Sequence, residues 1–563
     1  MIVALSLALA APAADLELAP TDALKSVVEQ ALIDYPEELE LPEAPDLYHL
    51  RYHLLLGRSY SARASLGSPV YADQGKYNLV GAELRLGSTA FDNSGFAGWE
   101  NGFGRKGLPQ EPTAHAVDVA LWELTDTSYK EGVEHVARKK AQVPERKDHP
   151  GDYTLTGKVV ADASYVPDFA PDGLEDLLVR LSGAWTGGPL LDRGDVYLGH
   201  EAGTTWTADT EGTRVGRPLH ETTIRAAAHL RTDDGELLTD QLLWTVRDPA
   251  SLPDEAVMTA QITAVRDRLA ATAKAKPLGE EYVGPVVFEG EAAADLFRYL
   301  LAGQLEGTPT EIPFDAWFGE FGEASESVRV GRRVLPPGWL VVSDPGGHPQ
   351  HPGSYSHDWE GTPVQRVELV TDGIVRTLAM SRTPRKGLET SNGHGLGGVG
   401  ERAVGKVVFL DVDAPRQVGA AKLYKTGLKA AKSYGLDHVL VVRKLQVPSI
   451  QNLSKGGWSF EVDDPGVLPP PIDIVRRYAD GREERVRGAA FAHVARFVLR
   501  DILAAGPSHA SSYMMPLDGD FGSLAATEGK AAWTSAPAVV VGEMEVVPRS
   551  GDPRDVPVLP HPW

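Results

Sequence analysis

Three segments near the start of the chain follow one another with only turns between them. Residues 48–54, 60–66 and 79–86 are rich in residues suited to strands and alternate apolar with polar side chains, as a half-buried strand does. Gly57 is predicted to mark the first turn, and Gly87 ends the third segment. Strands joined by turns pair antiparallel without a crossover helix. The pattern predicts an antiparallel meander and argues against a regular alternation of strands and helices.

Helices are predicted at intervals along the rest of the chain. Apolar residues that recur every three to four positions indicate helices over 22–34, 116–141, 254–274, 292–301, 417–434 and 489–504. Short strands and turns are expected from Pro144 to Trp244, and a buried strand over 283–288. The fold class predicted is therefore α+β, with mixed or antiparallel sheets and flanking helices.

The length of 563 residues is several times that of a usual domain, so at least two domains are expected. Hydrophobic residues make up 42% of the chain, enough to build real cores. The helical pattern breaks at 275–279, which reads Ala-Lys-Pro-Leu-Gly. We therefore predict an N-terminal domain over 15–278 and a C-terminal domain over 279–563.

Charge and cysteine content exclude several classes of function. The formal net charge is −23, which repels phosphate backbones and makes nucleic acid a poor partner. The chain has no cysteine, so disulfides, thiolate zinc sites, iron–sulfur clusters and cysteine nucleophiles are excluded. Any metal would need histidine and carboxylate ligands.

The first residues resemble an export signal. Residues 1–14 form a short apolar run in which Ala11-Pro12-Ala13 has the spacing of a cleavage site. We predict a signal peptide over 1–14 and a periplasmic or extracellular protein, with a mis-assigned start codon or a buried N-terminal strand as alternatives. No later stretch approaches the roughly 18 apolar residues of a membrane helix, so no membrane span is expected.

The usual hydrolase motifs are absent from the sequence. The chain contains no G-x-S-x-G elbow, no S-x-x-K pair and no H-E-x-x-H helix. His200 and Glu201 begin like a zinc helix, but no second histidine follows and Gly203 favours a strand or turn. A loop histidine is the favoured interpretation of His200.

A histidine-rich segment offers metal ligands without a rigid scaffold. His348, His351, His357 and Asp358 carry the atom types that zinc prefers. Prolines and glycines interleave with them throughout 345–353, which places the set on a loop. Metal binding and a solvated polar loop are both open interpretations, and the spacing favours the loop.

A glycine-rich segment follows at 391–398, with the sequence Ser-Asn-Gly-His-Gly-Leu-Gly-Gly. Its backbone N–H groups could hold an anion, and His394 beside Asn392 could act as a general acid or base. The segment lacks the lysine of a phosphate loop and the glycine spacing of a dinucleotide site. Tight turns are the favoured explanation for these glycines.

Seven groups of residues together resemble one family. In the family's order these are Gly81–Gly87 with Phe91-Asp92-Asn93, Leu121–Asp126 with Tyr129-Lys130, Thr210–Thr213, Val286–Ala292, Asp358–Pro363, Met380–Pro384 with Ser391–Gly395, and Ala536–Val540. The chain thereby resembles the TldD/PmbA peptidase family, historically called modulators of DNA gyrase. The resemblance covers nearly the whole mature chain.

The resemblance implies a two-domain α+β protein, a paired assembly of subunits, and cleavage of extended or unfolded peptides by the zinc-bearing branch. That branch carries H-E-x-x-x-H on a helix, where two histidines bind zinc and the glutamate activates water. An ungapped alignment places Arg298 and Tyr299 at the first His and Glu, and Gly303 at the second His. The family's further cysteine ligand has no counterpart. We therefore predict no metal, no cofactor and no catalytic residue, with a solvated helix face as the alternative role of Arg298.

The resulting hypothesis is an exported, zinc-lacking family member that acts as a non-zinc partner or peptide-binding subunit. Its partners would be a peptide or unfolded polypeptide and, in a homo- or heterodimer, a family member. The predicted peptide-binding residues are Arg298, Tyr299, His357, Asp358, Asn392 and His394, with Arg298 binding a peptide carboxylate. Two alternatives remain: an active hydrolase that uses a non-standard histidine site, and an export-linked binding protein without a role in proteolysis.

Overall fold

The structure is a computed structural model of the chain. It describes residues 18–39, 41–96, 98, 101–143, 149–161, 167–188, 191–312, 328–446, 468–492, 494, 497–512 and 533–549. The predicted signal peptide, residues 1–14, lies outside the described residues. No helix in the described ranges is long and apolar enough to cross a membrane.

Helices and strands alternate irregularly along the chain. The α-helices of the described part are α1 (Asp22–Glu38), α2 (Ala114–Gln142), α3 (Leu174–Gly183), α4 (Glu255–Ala273), α5 (Glu291–Leu301) and α6 (Ala420–Ala431). The first strands are β1 (Leu47–Ser65), β2 (Ser68–Leu86), β3 (Phe103–Gly107), β4 (Val160–Ala161), β5 (Arg193–Asp209), β6 (Arg214–Arg231) and β7 (Leu237–Val246). The later strands are β8 (Lys276–Pro277), β9 (Tyr282–Phe288), β10 (Leu340–Ser343), β11 (Val367–Thr371), β12 (Ile374–Val375), β13 (Gly395–Leu396), β14 (Val404–Gly405), β15 (Phe409–Asp413), β16 (His438–Leu445), β17 (Pro471–Tyr478), β18 (Glu483–Arg487), β19 (Ala489–Phe491), β20 (Ile502–Ser512) and β21 (Trp533–Pro548).

The first sheet has the strand order β3-β2-β1-β5-β6-β4, and β7 also pairs with β6. Its long strands pair antiparallel, so alternate side chains share a face. Leu54 and Val80 pack beneath α1 and α2, while Val196 packs beneath α3 and α4. The four helices therefore cover one face, and the other face carries the odd-numbered residues of β1 and β5.

The predicted turn at Gly57 is wrong. Gly57 lies inside the 19-residue strand β1, and the chain reverses at Leu66 and Gly67, which both have positive φ. A Cβ atom at Gly57 would lie 2.4 Å from the ring of Tyr77. The glycine therefore makes room for an aromatic ring from the neighbouring strand, a long-range requirement that looks like a turn signal in the sequence.

The region from Pro144 to Trp244 also differs from the prediction of short strands and turns. It contains the 17-residue β5 and the 18-residue β6, and α3 was missed. His200 and Glu201 lie in β5, and His200 is fully buried there, so the interpretation of His200 as a loop histidine is wrong. Glycines in β5 weaken the local strand signal, but pairing with strands on both sides supplies the missing stability.

The second sheet is mixed and has the order β12-β11-β10-β15-β21-β9-β16-β17-β18-β8, with β19 and β20 also pairing with β21. Phe288 packs with α5 on one face, and its neighbour Val287 packs with α6 on the other. The α+β class with mixed and antiparallel sheets is thus confirmed. The first sheet ends at Val246 and the second begins at Lys276, while the domain limits 15–278 and 279–563 stay a prediction.

The predicted helix over 489–504 is wrong. Ala489 to Phe491 form β19, and β20 begins at Ile502, with one 3-10 turn before it. Both strands pair with β21. Short apolar runs suit a helix or a buried strand equally well. Here the hydrogen bonds to β21 favour strands. The other five predicted helices are confirmed within a few residues.

The two sheets meet through an apolar cluster and a buried ion network. Leu55 and Tyr77 of the first sheet pack against Trp359 and Leu396. Nearby, Arg382 pairs with Glu211, and its side chain also donates to the Thr154 carbonyl over 2.8 Å. Arg51 pairs with Glu83 over 2.8 Å and contacts the hydroxyl of Tyr153. These contacts hold both sheets in one arrangement.

Candidate functional site

Arg298 is the predicted site residue that the structure constrains most. Its side chain is 3% exposed, and its Nη1 donates to Asp295 Oδ1 over 2.6 Å. Its Nη2 donates to the carbonyl and hydroxyl of Ser511 on β20, over 2.8 and 3.2 Å. The Ser511 hydroxyl donates in turn to Asp295 over 3.1 Å. Arg298 is therefore not on a solvated helix face but in a closed, buried triangle.

The ion pair of Arg298 with Asp295 offsets part of the free energy that it costs to bury the Asp295 carboxylate. Burial raises the pKa of Asp295, while the Arg298 guanidinium acts to lower it. A peptide carboxylate would have to displace Asp295 to reach the guanidinium. Tyr299 is half-buried against the core, and Gly303 lies in the 3-10 turn after α5. The prediction that Arg298 and Tyr299 contact peptide stays a prediction.

His348 lies in a partly exposed aromatic face. Its ring stacks on Phe409 with centroids 5.1 Å apart and lies 4.1 Å from the ring of Trp533. Its Nε2 is 3.4 Å from Asp411 Oδ2, and both side chains are about 30% exposed. Because an imidazole, an indole and a carboxylate meet here at the surface, this face can stack on an apolar side chain and hydrogen-bond to a backbone amide.

His351 lies deeper in the same loop. Burial, with His348 and Arg247 beside it, lowers the pKa of His351 to about 4. Its Nδ1 accepts a hydrogen bond from the N–H of Gly353. Its backbone carbonyl accepts one from Arg247, which directly follows β7 of the first sheet. The imidazole is neutral at physiological pH and helps to hold the loop in place.

His357 and Asp358 have different environments although they are neighbours. His357 is half-buried and contacts only the hydroxyl of Ser356 in the described hydrogen bonds. Asp358 is buried and accepts from the N–H groups of Glu360, Thr362 and Gly395. Burial raises the pKa of Asp358 to about 6, against the effect of these N–H groups. Asp358 thus shapes the loop, while His357 reaches solvent.

The glycine-rich segment is held by its own polar side chains. Asn392 accepts from the N–H of Met380 and donates to the Leu378 carbonyl, both over 2.8 Å. His394 is fully buried, with Nε2 2.9 Å from the hydroxyl of Ser343. Burial lowers the pKa of His394 to about 4. Gly393 has a φ of 77°, and a Cβ there would lie 2.4 Å from a backbone oxygen. The tight-turn interpretation of this segment is therefore supported.

The predicted residues thus fall into two groups. Asp358, Asn392 and His394 meet where the two loops pack together. Arg298 lies apart from them, at the end of β20 and β21 where Trp533 and the loop of His348 also lie. Five residues near Arg298 were missed: Asp295, Ser511, Phe409, Asp411 and Trp533. Only Asp295 had a local signal, since it precedes Arg298 by three residues on a helix; the others come from distant strands.

Comparison with known proteins identifies the second half of the chain. Residues 280–468 match the family model described as the PmbA/TldA metallopeptidase C-terminal domain. This segment, residues 280–468, belongs to the TldD/PmbA family. No curated protein sequence matches the chain.

Solved structures share the fold of this TldD/PmbA protein over almost its whole length. A proposed modulator of DNA gyrase from Thermotoga maritima has a TM-score of 0.59 at 13% identity and covers 93% of this chain and 100% of its own. TldE from Thermococcus kodakarensis has a TM-score of 0.58 at 12% identity, with coverages of 92% and 100%. A proposed modulator of DNA gyrase from Bacteroides thetaiotaomicron has a TM-score of 0.57 at 11% identity, with coverages of 94% and 99%. At these identities the likeness concerns the fold.

The TldD/PmbA zinc ion does not fit the residues at the corresponding helix. A guanidinium cannot bind zinc, glycine has no side-chain ligand, and the Asp295 carboxylate already bonds to Arg298 and Ser511. A permanent cation at this place also repels a second one. The histidines at 348, 351, 357 and 394 form no group with the spacing of metal ligands in the described part of the chain.

One other group of residues has the spacing of metal ligands among the described residues. His49, Asp209 and Glu211 place ligand atoms within 4.8 Å of one another. Asp209 lies 3.3 Å from Arg51, and Glu211 pairs with Arg382. Burial and the guanidinium groups of Arg51 and Arg382 lower the pKa of His49 well below its usual value. A cation is therefore disfavoured, and the group belongs to the ion network between the sheets.

Proposed function

We propose that this chain is a non-zinc member of the TldD/PmbA family that binds extended or unfolded peptide for a catalytic partner subunit, and that it is exported. The observation that carries the proposal is the buried triangle of Arg298, Asp295 and Ser511. The ungapped alignment sets Arg298 at the first histidine position of the zinc-bearing branch, and here its guanidinium bonds to Asp295 and Ser511. Peptide binding then remains as the function of the adjoining surface.

The partly exposed aromatic face supports this role. The ring of His348 stacks on the fully buried Phe409 and lies beside the ring of Trp533 and the carboxylate of Asp411. An extended peptide can lay one side chain on such a stack while its backbone bonds to nearby polar groups. The half-buried His357 lies further along the same loop. Contacts of this kind place little demand on sequence, as a subunit that holds unfolded substrates would require.

The first test concerns zinc and cleavage. The purified protein is expected to contain far less than one zinc per chain and to leave denatured casein intact, because Arg298, Tyr299 and Gly303 supply no imidazole. Elemental analysis and a casein assay with and without chelator check this. One zinc per chain together with chelator-sensitive cleavage would overturn the proposal and favour the active hydrolase.

The second test concerns the aromatic face. His348→Ala is expected to weaken the binding of a fluorescent extended peptide about ten-fold, since an aromatic stacking contact contributes up to about 1.5 kcal/mol. Titration by fluorescence anisotropy measures the effect.

His438→Ala is the matched control for this titration. His438 also contacts two aromatic rings, Tyr282 and Tyr478, at 5.7 and 5.6 Å, and one carboxylate, Asp437, at 2.8 Å. None of these described contacts of His438 involves the aromatic face, so the affinity should equal that of the wild type. An equal loss in both variants, or no binding by the wild type, would contradict a role of the aromatic face.

A further inference from the structure

The helix-free face of the first sheet continues beyond the part that Trp359 and Leu396 cover. Strand register places Ser61 of β1 opposite Gly199 of β5, and Gly199 opposite Thr223 of β6. Ser59, Ser61 and Gly199 are only partly buried. These small residues lie along β5 between charged side chains at both ends, and we call this strip the polar trough.

Two carboxyl groups form one end of the trough. Glu201 and Glu221 are directly opposite each other in the register of β5 and β6, and each is 5% exposed. Thr223 donates to Glu221 over 3.0 Å, and the Tyr77 phenol is a side-chain hydrogen-bond neighbour of Glu201. Two carboxyl groups side by side favour a ligand group of positive charge.

Three arginines form the other end. The guanidinium groups of Arg63 and Arg225 lie 5.5 and 4.6 Å from the ring centre of Tyr197, and Arg193 donates to the Tyr197 hydroxyl. Asp195 pairs with Arg193 and lies 3.8 Å from Arg63. The cluster therefore carries more positive than negative charge in a protein of net charge −23. Arg63 and Arg193 are about 30% exposed, so a ligand can reach them.

The two ends have the spacing of a short peptide. Glu201 and Tyr197 are four residues apart on one face of β5, which is about 13 Å along a strand. An extended chain of about four residues spans the same length. We propose that the polar trough binds short peptides with free termini, the ammonium group at Glu201 and Glu221 and the carboxylate at Arg63 and Arg193. The inference does not rest on the function proposed for the aromatic face.

The chemistry predicts release of a proton on binding. Burial and the neighbouring Glu221 raise the pKa of Glu201 to about 8, and burial raises the pKa of Glu221 to about 7. Tyr77 from β2 faces the pair, with Arg58 of β1 beside that phenol. At pH 7 the pair therefore holds at least one proton. An ammonium ligand favours the ionised carboxylates, so up to one proton is lost to solvent.

Calorimetric titration with tetra-alanine at pH 7 tests the inference. The peptide with two free termini should bind, and N-acetylation or C-amidation should each weaken binding ten-fold or more. Titrations in two buffers of different ionisation enthalpy should show proton release with the free peptide and none with the acetylated one. Equal affinity for all three peptides, or no binding, would overturn the proposal.

Two variants assign the ends of the ligand. Glu201→Gln keeps the shape of the side chain. In this variant fewer protons should be released on binding, and N-acetylation of the peptide should lower the affinity less than it does in the wild type. C-amidation should lower the affinity as much as before. In Arg63→Gln the penalty of amidation should shrink instead. Arg366→Gln, an exposed arginine paired only with Glu368 in the described structure, should match the wild type. The opposite assignment of penalties, or equal effects of all three variants, would refute this orientation.

The variants also separate the trough from the aromatic face. His348→Ala should leave the affinity for tetra-alanine unchanged, and Glu201→Gln should leave binding of a long peptide with blocked ends unchanged. If His348→Ala weakened tetra-alanine binding as much as Glu201→Gln, the short peptide would bind at the aromatic face and the trough proposal would be wrong.

Discussion

Arg298→Met is expected to lower the free energy of unfolding by about 3–5 kcal/mol. The substitution leaves the Asp295 carboxylate buried without its cation, and breaking a buried pair from one side costs this amount. Two hydrogen bonds to Ser511 are lost as well. Urea unfolding followed by tryptophan fluorescence measures the change, and the midpoint should fall while the slope stays constant.

Removing both charges provides the control for Arg298. The double variant Arg298→Met with Asp295→Leu should recover most of the lost stability, because no unpaired charge remains. Arg180→Met should change the stability little, since Arg180 is a helical arginine paired with Glu255 but exposed. If the single and double variants were equally unstable, the packing of the side chain and not the ion pair would explain the loss.

Arg382→Met is expected to loosen the contact between the two sheets and to cost about 3–5 kcal/mol. Arg382 pairs with Glu211, lies 4.0 Å from Asp209 and covers the ring of Tyr153 with its guanidinium 4.5 Å from the ring centre. Its loss leaves two carboxylates with less compensation in a buried place. Differential scanning calorimetry should show a lower Tm and a broader transition, because the two halves unfold less cooperatively.

Arg366→Met serves as the control at the same protein concentration, since its ion pair with Glu368 is exposed on both sides. Its transition should superimpose on that of the wild type. A sharp single transition at the wild-type temperature for Arg382→Met would show that the apolar contacts of Leu55 and Tyr77 with Trp359 hold the sheets together without the ion network.

The candidate site was only partly predictable from the residues. Alignment with the family placed Arg298 at a metal-ligand position, but its two possible roles, surface residue or peptide contact, differ only in what surrounds the helix. Ser511 is 213 positions away in the chain, and no local pattern links it to α5. The aromatic face of His348 was missed for the same reason, since Trp533 joins it through the pairing of β21 with β15 and β20.

The sequence by itself determined the class of the fold, five of the helices and the resemblance to the TldD/PmbA family. These depend on periodicity over a few turns and on residue identity at aligned positions, which are local properties. The tertiary structure alone decided that Gly57 accommodates Tyr77 within a long strand, that β19 and β20 pair with β21, and that Arg298 is buried. Each of these depends on which distant segment fills the adjoining space, and the free energy of that contact exceeds the local preference of the chain.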